Sequence, residues 1–360
     1  MTRKKVAGVN KKIIVIILTA ALLTTIISPV FAAHEELSEG KYYSLINEDN
    51  QVILQTARQV YVGDEYITAD NNKFRIEEIS ENTARCVFAG RELMPEVSYD
   101  YQNQAWVLGG EAVPAAGGKP KTVAIYHTHS DESYDPSDGT SSKEGSGGIY
   151  DVGEALAVKL RDLGFKVDHN KNNHNPHDVN AYNRSRRTAA TLLRNNPDVI
   201  LDVHRDAVPA SQYKAEVNGQ SVTKVKLVVG KSNPNQASSL EFAKKIKAVM
   251  DKKAPGLSNG IFIGKGDYNQ DLSPQAMLIE VGSNTNTKED AERGVQIFAE
   301  TLPSVLGVAS GAGNSQSGGP AAKPLAGAGR GVWTNVLILV VVVALAGIGF
   351  YYLNRGTVKK

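Results

Sequence analysis

Histidine and acidic side chains follow an apolar run in the middle of the chain. Val123–Tyr126 is an uninterrupted run, and His127, His129 and Glu132 come directly after it. Such a run is typical of a buried strand. Open α/β sheets carry their chemistry outside the carboxyl ends of their strands. Imidazole nitrogens and carboxylate oxygens are also good zinc ligands. The pattern therefore predicts a metal site at one edge of a sheet.

Two later strand-like runs also lead into a histidine or a glutamate. Val199–Val203 leads into His204, and Ala276–Ile279 leads into Glu280. Together, the three predicted strand ends supply a set of His, Glu, His and a second Glu, with one histidine to spare. A catalytic zinc with three protein ligands and a general base needs this set of side chains.

The predicted ligands of a catalytic Zn²⁺ are His129, Glu132 and His204, with the fourth position left to water. Bound zinc lowers the pKa of its water to about 7 and polarises a carbonyl group. Glu280 is predicted to be the catalytic general base, which takes the proton and returns it to the leaving amine. A site with these components hydrolyses amides.

Two of these ligand assignments have competitors. His127 is an alternative to His129, because alternation along a strand points both residues to the same side. Glu144 is an alternative to Glu132, although the glycines around it make its loop hard to place. The residues leave both choices open.

Four further polar side chains lie close to these motifs. Arg205 and Asp206 are candidates for orienting His204 or binding a substrate carboxylate, and a structural ion pair is the alternative. His174 and His177 have the spacing of metal ligands. Their asparagine-rich surroundings predict a solvated loop instead.

Apolar runs and helical periodicities alternate through residues 121–310. Val152, Leu156 and Leu160, for example, recur at helical spacing after the first strand of this region. Alternation of strands and helices predicts an α/β domain: a three-layer, mostly parallel sheet with helices on both faces. This domain would carry all the candidate site residues.

The regions beside this domain differ in composition. Residues 40–108 contain short β-like runs, such as Gln51–Leu54 and Lys73–Ile76, separated by polar turns. They predict a small all-β module with a spacer or binding role. Residues 109–120 are predicted to be a linker, and residues 311–331, rich in Gly and Ser, a flexible one.

Both ends of the chain carry apolar segments. Residues 1–33 combine a cationic start, an apolar core and small residues suited to cleavage after Ala32, which predicts a signal peptide or an uncleaved membrane anchor. Residues 332–354, with Trp333 at one border, predict a C-terminal transmembrane helix, followed by a cytoplasmic tail at 355–360. The catalytic domain is therefore expected outside the cytoplasm, tethered to the cell membrane.

Composition narrows the class of protein further. The chain has 360 residues with 40 basic and 38 acidic side chains, a formal net charge of +2. Its length allows about two domains of ordinary size. The Lys and Arg residues form no concentrated basic face, which argues against a nucleic-acid partner. The single Cys86 cannot form an internal disulfide and is predicted to be a core residue.

The motifs resemble those of a known family. Ile125–Tyr134, Asp202–Ala207 and Ile279–Ser283 are similar to the signatures of the stage II sporulation protein P family. They are more distantly similar to zinc-dependent N-acetylmuramoyl-L-alanine amidases, in which strand-end His, Glu and His bind zinc and a late Glu is catalytic. The resemblance implies a peptidoglycan hydrolase that cuts between N-acetylmuramic acid and L-alanine, often with endopeptidase activity on stem peptides.

The same resemblance implies a cellular role. It implies work at the septum between forespore and mother cell during engulfment, with stage II sporulation proteins D and M as partners. In the distant amidases the ligand Glu lies further from the first His, so Glu144 stays an alternative to Glu132. The C-terminal apolar span departs from the family pattern. A zinc carboxypeptidase-type peptidase acting on stem peptides and a non-catalytic, membrane-tethered wall-binding scaffold are the alternative functions.

Overall fold

A computed structural model describes residues 36–37, 40–97, 105–108, 111–114, 120–178 and 180–307. These residues belong to one compact unit, Met1–Gly311, and a second unit, Ala312–Lys360, contains none of them. The predicted segments 1–33, 311–331, 332–354 and 355–360 lie outside the described residues. Within the described part of the chain, no helix has both the length and the apolar character needed to cross a bilayer.

The described residues form fifteen strands and six α-helices. The strands are β1 (Tyr43–Ile46), β2 (Val52–Thr56), β3 (Glu65–Ile67), β4 (Asn72–Ser80), β5 (Thr83–Arg91), β6 (Ala105–Leu108), β7 (Glu111–Pro114), β8 (Thr122–Tyr126), β9 (Lys166–His169), β10 (Val199–Asp206), β11 (Lys214–Val217), β12 (Gln220–Thr223), β13 (Val225–Gly230), β14 (Ser258–Gly264) and β15 (Ala276–Ser283). The helices are α1 (Asp135–Asp138), α2 (Ile149–Asp162), α3 (Ala181–Leu193), α4 (Gln236–Lys253), α5 (Lys288–Ala299) and α6 (Leu302–Leu306).

Eleven of these strands form one mixed sheet, in the order β2-β1-β5-β4-β3-β14-β13-β15-β10-β8-β9. Strands β15, β10, β8 and β9 run parallel, and β13 is antiparallel to β15. The mostly parallel sheet expected for residues 121–310 is not confirmed, because β13 runs antiparallel to β15 within this mixed sheet. At the other end of the sheet, β4 and β5 are joined by only Glu81 and Asn82, and so short a connection can join only antiparallel strands.

The strands predicted to be a separate all-β module continue the central sheet. Strand β3 pairs antiparallel with β14, with Tyr66 opposite Phe262, so β1–β5 form one end of the same sheet. The predicted linker at 109–120 contains strand β7, which pairs with β6 as a two-stranded hairpin. Because β1–β5 belong to the same sheet, the segment that follows β2 lies close to the strand ends of the α/β part.

Helices cover both faces of the α/β part of the sheet. Ile125 of β8 packs in the same core cluster as Leu156 of α2, whereas its neighbour Tyr126 packs with Leu192 of α3. Successive strand residues point to opposite faces, so α2 and α3 lie on opposite sides of the sheet. Every residue of β10 and β15 is buried. Burial on both faces explains why these strands read as nearly continuous apolar runs.

Candidate metal centre

Four side chains converge at the edge of the sheet. We call these four residues the metal group: Glu36, His129, Glu132 and His204. Each contributes one ligand atom, and the four atoms all lie within 4.8 Å of one another. Three of these residues are the predicted zinc ligands. The fourth, Glu36, lies before β1 and was not predicted from the sequence. His129, Glu132 and His204 are buried, and the Glu36 side chain is 13 % exposed.

Parallel strands bring three of these groups together. His129 and Glu132 lie in the loop that follows β8, and His204 lies near the end of β10, which pairs in parallel with β8. The loop is tightly packed: a Cβ atom on Gly147 would lie 2.5 Å from the carbonyl oxygen of Glu132. Glycine at position 147 therefore allows the backbone that carries Glu132 to approach its neighbour closely.

The two imidazoles turn the same nitrogen towards the centre. Nδ1 of His129 lies 3.1 Å from Oε1 of Glu132 and 3.4 Å from Oε1 of Glu36. Nδ1 of His204 lies 3.2 Å from the same Glu132 oxygen. One carboxylate oxygen of Glu132 thus lies against both imidazoles, which is the convergence of donors that a bound metal ion requires.

A second layer of polar groups orients these side chains. Nε2 of His204 lies 3.0 Å from Oδ1 of Asp202, and this carboxylate also accepts the backbone N–H of Thr128 at 2.8 Å. A carboxylate against the outer nitrogen of a ligand histidine fixes the orientation of the ring. The backbone N–H of Arg205 donates to Oε2 of Glu132 at 2.9 Å.

Burial and charge act in opposite directions on these groups. Burial disfavours the ionised form of Glu132, but the charges of His204 and Arg205 outweigh it and hold the pKa of this carboxyl well below its usual range. Burial also disfavours protonation of His204, but Asp202 and Glu132 raise the pKa of its imidazole. The Glu132 carboxylate is therefore ionised at neutral pH, as a metal ligand must be.

The competing ligands His127 and Glu144 lie outside this group. Nδ1 of His127 lies 2.9 Å from the carbonyl oxygen of Val203, and its Nε2 lies 2.9 Å from Nε2 of His169. Strand β8 ends at Tyr126, so the strand alternation that would point residues 127 and 129 to one side no longer applies. Glu144 is exposed in its loop.

The histidines expected in a solvated loop are placed differently. His174 is buried, with Nδ1 2.7 Å from the carbonyl oxygen of His127 and Nε2 2.8 Å from Oγ1 of Thr188. His177 stacks on His129, with 3.8 Å between ring centroids. The expectation of a solvated loop is wrong for His174, which is buried, whereas His177 and most of its neighbours in the loop are exposed.

Two carboxylates hold His177 at the border of the metal group. Its Nε2 lies 3.3 Å from Oε2 of Glu36, and its Nδ1 lies 3.2 Å from Oδ1 of Asp131. Burial lowers the pKa of this imidazole, but the two carboxylates outweigh burial and raise it to about 10. His177 is therefore a cation at neutral pH, beside the metal group.

Glu280 lies beside the metal group in a network of buried cations. It pairs with His204 on the neighbouring parallel strand. Oε1 of Glu280 accepts from Nε of Arg58 at 3.1 Å and from Nη2 of Arg58 at 2.9 Å. Oε2 accepts from the Tyr213 hydroxyl at 2.9 Å and lies 2.6 Å from Nζ of Lys226. Both carboxylate oxygens are therefore held.

Asp206 belongs to the same network as Glu280. Its Oδ2 lies 2.6 Å from Nζ of Lys226 and accepts from Tyr213 at 3.1 Å. Burial alone would raise the pKa of Glu280, but Lys226 and Arg58 lower it to about 2. Burial and the nearby Glu280 charge raise the pKa of Asp206. The side chain of Asp206 thus works with Glu280 rather than orienting His204.

The side chain of Arg205 holds the loop that follows β8. Its Nη2 donates to the carbonyl oxygen of Ser141 at 3.0 Å, and its Nε donates to that of Ser133 at 3.3 Å. The guanidinium therefore stabilises the backbone on either side of α1, while the backbone N–H of the same residue orients Glu132.

Sequence reasoning missed Glu36, Arg58, Lys226 and Tyr213. Lys226 had a detectable signal, because it interrupts the apolar strand β13, every residue of which is buried. A buried lysine requires an anionic partner. Arg58 and Glu36 had no such signal, since both come from segments that the sequence assigned outside the α/β domain.

These features define an α/β protein with a buried cluster of histidines and carboxylates at the ends of parallel strands. A family model described as stage II sporulation protein P matches residues 29–303, most of the chain. The chain therefore belongs to the stage II sporulation protein P family. Stage II sporulation protein P of Bacillus subtilis (strain 168) is 31% identical over 204 residues, which cover 51% of this chain and 51% of that protein. The chain thus spans about half the length of this relative.

Solved structures of amidases show a weak likeness. The N-acetylmuramoyl-L-alanine amidase from Clostridium difficile 630 is 18% identical, with 53% of this chain and 96% of that chain covered and a TM-score of 0.34. The catalytic domain of CwlV, an N-acetylmuramoyl-L-alanine amidase from Bacillus (Paenibacillus) polymyxa var. colistinus, is 16% identical over 52% of this chain and 99% of that chain, with a TM-score of 0.34. At these TM-scores the likeness carries no argument about this chain.

Proposed function

We propose that this chain is a zinc-dependent peptidoglycan hydrolase with N-acetylmuramoyl-L-alanine amidase activity, which acts on the septal wall during endospore formation. The observation that supports it best is the convergence of His129, Glu132 and His204 next to Glu280. Membership in the stage II sporulation protein P family supports a role during endospore formation. The proposal includes tethering to the membrane with the active site outside the cytoplasm, and stage II sporulation proteins D and M as partners.

The chemistry of the donor set fits zinc. Imidazole nitrogens together with a carboxylate oxygen suit Zn²⁺, whereas sites made of oxygen alone suit magnesium or calcium. The buried Asp202 carboxylate behind His204 is the outer partner that ligand histidines usually have. His129, Glu132 and His204 would hold the ion, and Arg205 would keep Glu132 turned towards it through its backbone N–H.

Zinc held by these residues would polarise the scissile carbonyl and make a water molecule a stronger nucleophile. Glu280 is ionised at neutral pH, so it is able to accept a proton from the attacking water and return it to the leaving amine. Arg58 and Lys226 contact its two oxygens and make it a weak base. Proton acceptance therefore requires one of these contacts to lengthen during the reaction.

Metal content and reaction products test the proposal. The full-length protein, purified in mild detergent, should bind one zinc ion, and His129→Ala and His204→Ala should lose it. His127→Ala is the matched control and should keep the ion, because both ring nitrogens of His127 are used outside the metal group. A wild-type protein that binds no metal would contradict the proposal.

Muropeptide digestion separates the candidate activities. An amidase releases free stem peptides from the glycan, whereas a carboxypeptidase or endopeptidase releases shortened peptides. Glu280→Gln should abolish hydrolysis and leave binding to the wall intact. Hydrolysis that persists in this variant would exclude Glu280 as the base, and wall binding without any wild-type hydrolysis would favour the scaffold function.

A further inference from the structure

Glu36 reaches the metal group from a different part of the chain than the other three members. His129, Glu132 and His204 are carried by the carboxyl ends of β8 and β10, whereas Glu36 precedes β1. Its Oε1 lies 3.4 Å from Nδ1 of His129. Glu36 is therefore the one member of the group that these strand ends do not supply.

Several contacts hold Glu36 in this position. Its backbone forms an antiparallel bridge with Arg58, and the next N–H, that of Leu37, donates to the carbonyl oxygen of Ala57 at 2.8 Å. Its second carboxylate oxygen lies 3.3 Å from Nε2 of His177. Backbone and side chain are thus both fixed, so the carboxylate is aimed at the metal group by the fold itself.

The number of protein ligands separates structural zinc sites from catalytic ones. Structural sites are closed by four protein ligands, whereas catalytic sites keep one position open for water or substrate. With Glu36 in place, this centre has the donor set of a closed site. We propose that Glu36 is a fourth, self-supplied ligand that closes the metal position, and that the segment carrying it must withdraw before hydrolysis. This inference rests on the proposed function.

Withdrawal of this segment would affect both the metal position and the predicted base, Glu280. The bridge to Arg58 would be lost, and the side chain of Arg58 is one of the two cations that hold Glu280. His177 would also lose one of its two carboxylate partners. The segment around Glu36 therefore restrains the metal position, the predicted base and His177 together.

Substitution of Glu36 in the full-length protein tests this inference. Glu36→Ala and Glu36→Gln are compared with wild type and with Glu78→Gln, which changes an exposed glutamate on β4. Zinc affinity is measured by competition with a chelator. The accessibility of the metal position is measured by adding azide to the Co²⁺-substituted protein and following its visible spectrum. Hydrolysis of purified wall is measured on the same samples.

Loss of a protein ligand should weaken zinc binding by at least about tenfold in both Glu36 variants, as loss of outer partners alone already costs about 10–100-fold. Azide should change the Co²⁺ spectrum of the Glu36 variants and leave those of wild type and Glu78→Gln unchanged. If the closed form makes up about nine-tenths of the wild-type protein, wall hydrolysis should rise about tenfold in the variants.

Other outcomes would overturn the inference. Unchanged zinc affinity in the Glu36 variants would show that Glu36 is not a ligand, and azide binding to wild-type protein would show that the position is already open. Weaker zinc binding together with slower hydrolysis would make Glu36 a required ligand rather than a closing one. In each case a zinc-loaded wild-type enzyme would leave the proposed function standing. A wild-type protein without metal would instead remove the proposed function, and this inference with it.

Discussion

Replacement of Lys226 by methionine is the sharpest test of the charge network around Glu280. Lys226 is completely buried, and its Nζ lies 2.6 Å from Glu280 and 2.6 Å from Asp206. Methionine keeps most of the volume of the side chain but removes the charge. The two carboxylates would then share a buried site with Arg58 and the Tyr213 hydroxyl as their remaining partners among these groups.

The expected cost is large because a buried ion pair is broken on one side only. Removal of one partner of such a pair typically costs about 3–5 kcal/mol. The direction of the pKa shift agrees with this cost, because Lys226 and Arg58 outweigh burial and hold the pKa of Glu280 below its usual value. We therefore expect Lys226→Met to lower the free energy of unfolding by about 3 kcal/mol at neutral pH.

The sign of the pH dependence follows from the direction of each pKa shift. In the wild-type protein the pKa of Glu280 is lowered, so its stabilisation is present above the unfolded pKa of 4.5 and is lost as pH falls towards 2. In the variant, burial and mutual repulsion should raise the pKa of the Glu280–Asp206 pair. A raised carboxyl pKa stabilises the protein below the unfolded pKa, and this stabilisation is lost as pH rises. The cost of Lys226→Met should therefore grow from pH 4 to pH 7.5.

Urea unfolding of wild type and variant at both pH values measures this cost. The double variant Lys226→Met with Glu280→Gln is the control, because it removes the unpaired charge and should recover part of the lost free energy. Lys244→Met is a second control, since Lys244 pairs with Glu92 near the surface and should cost about 1 kcal/mol or less. A cost below about 1 kcal/mol at pH 7.5, or one that does not change with pH, would refute the buried network.

Three further predictions concern single positions. Gly147→Ala should lower the free energy of unfolding by about 1–3 kcal/mol and weaken zinc binding, because its Cβ would meet the Glu132 carbonyl oxygen; urea unfolding and chelator competition measure both. Asp202→Asn should weaken zinc binding by about 10–100-fold through His204, and an unchanged affinity in the same competition would contradict this outer role. Burial raises the pKa of the Cys86 thiol to about 12, so a thiol reagent at pH 8 should label it only at the rate of unfolding; fast labelling of folded protein would be the contrary result.

The convergence of His129, Glu132 and His204 could be anticipated because it depends on local patterns and one general rule. His129 and Glu132 follow β8, His204 lies near the end of β10, and parallel strands bring their carboxyl ends to the same edge of a sheet. The same reasoning allowed the side chain of His127 to point towards the metal group, and the structure places it elsewhere. Alternation with a period of two applies only inside a strand, and β8 ends one residue earlier.

Long-range strand pairing could not be read from the sequence in the same way. Runs such as Gln51–Leu54 and Lys73–Ile76 were recognisable as strands, but their attachment to the sheet depends on β3 pairing with β14, with Ile67 opposite Ile261. No local signal specifies this pairing, since its partners lie far apart in the chain. Glu36 and Arg58 reach the site only through this part of the sheet, so they could not be predicted as site residues.

Arg58 follows β2 and contacts Glu280, so residues 40–108 contribute a side chain to the candidate site. A fragment that begins at residue 120 would keep the three predicted ligands and Glu280, yet it would lose Arg58 and would uncover β14, every residue of which is buried. We expect this fragment to aggregate, because an uncovered apolar edge strand is a template for association. Size-exclusion chromatography would show this, with a chain that begins at residue 36 as the control. The contrary result is a monomeric fragment that binds zinc and hydrolyses wall at the rate of the longer chain. It would show that residues 40–108 form an independent module, as predicted from the sequence.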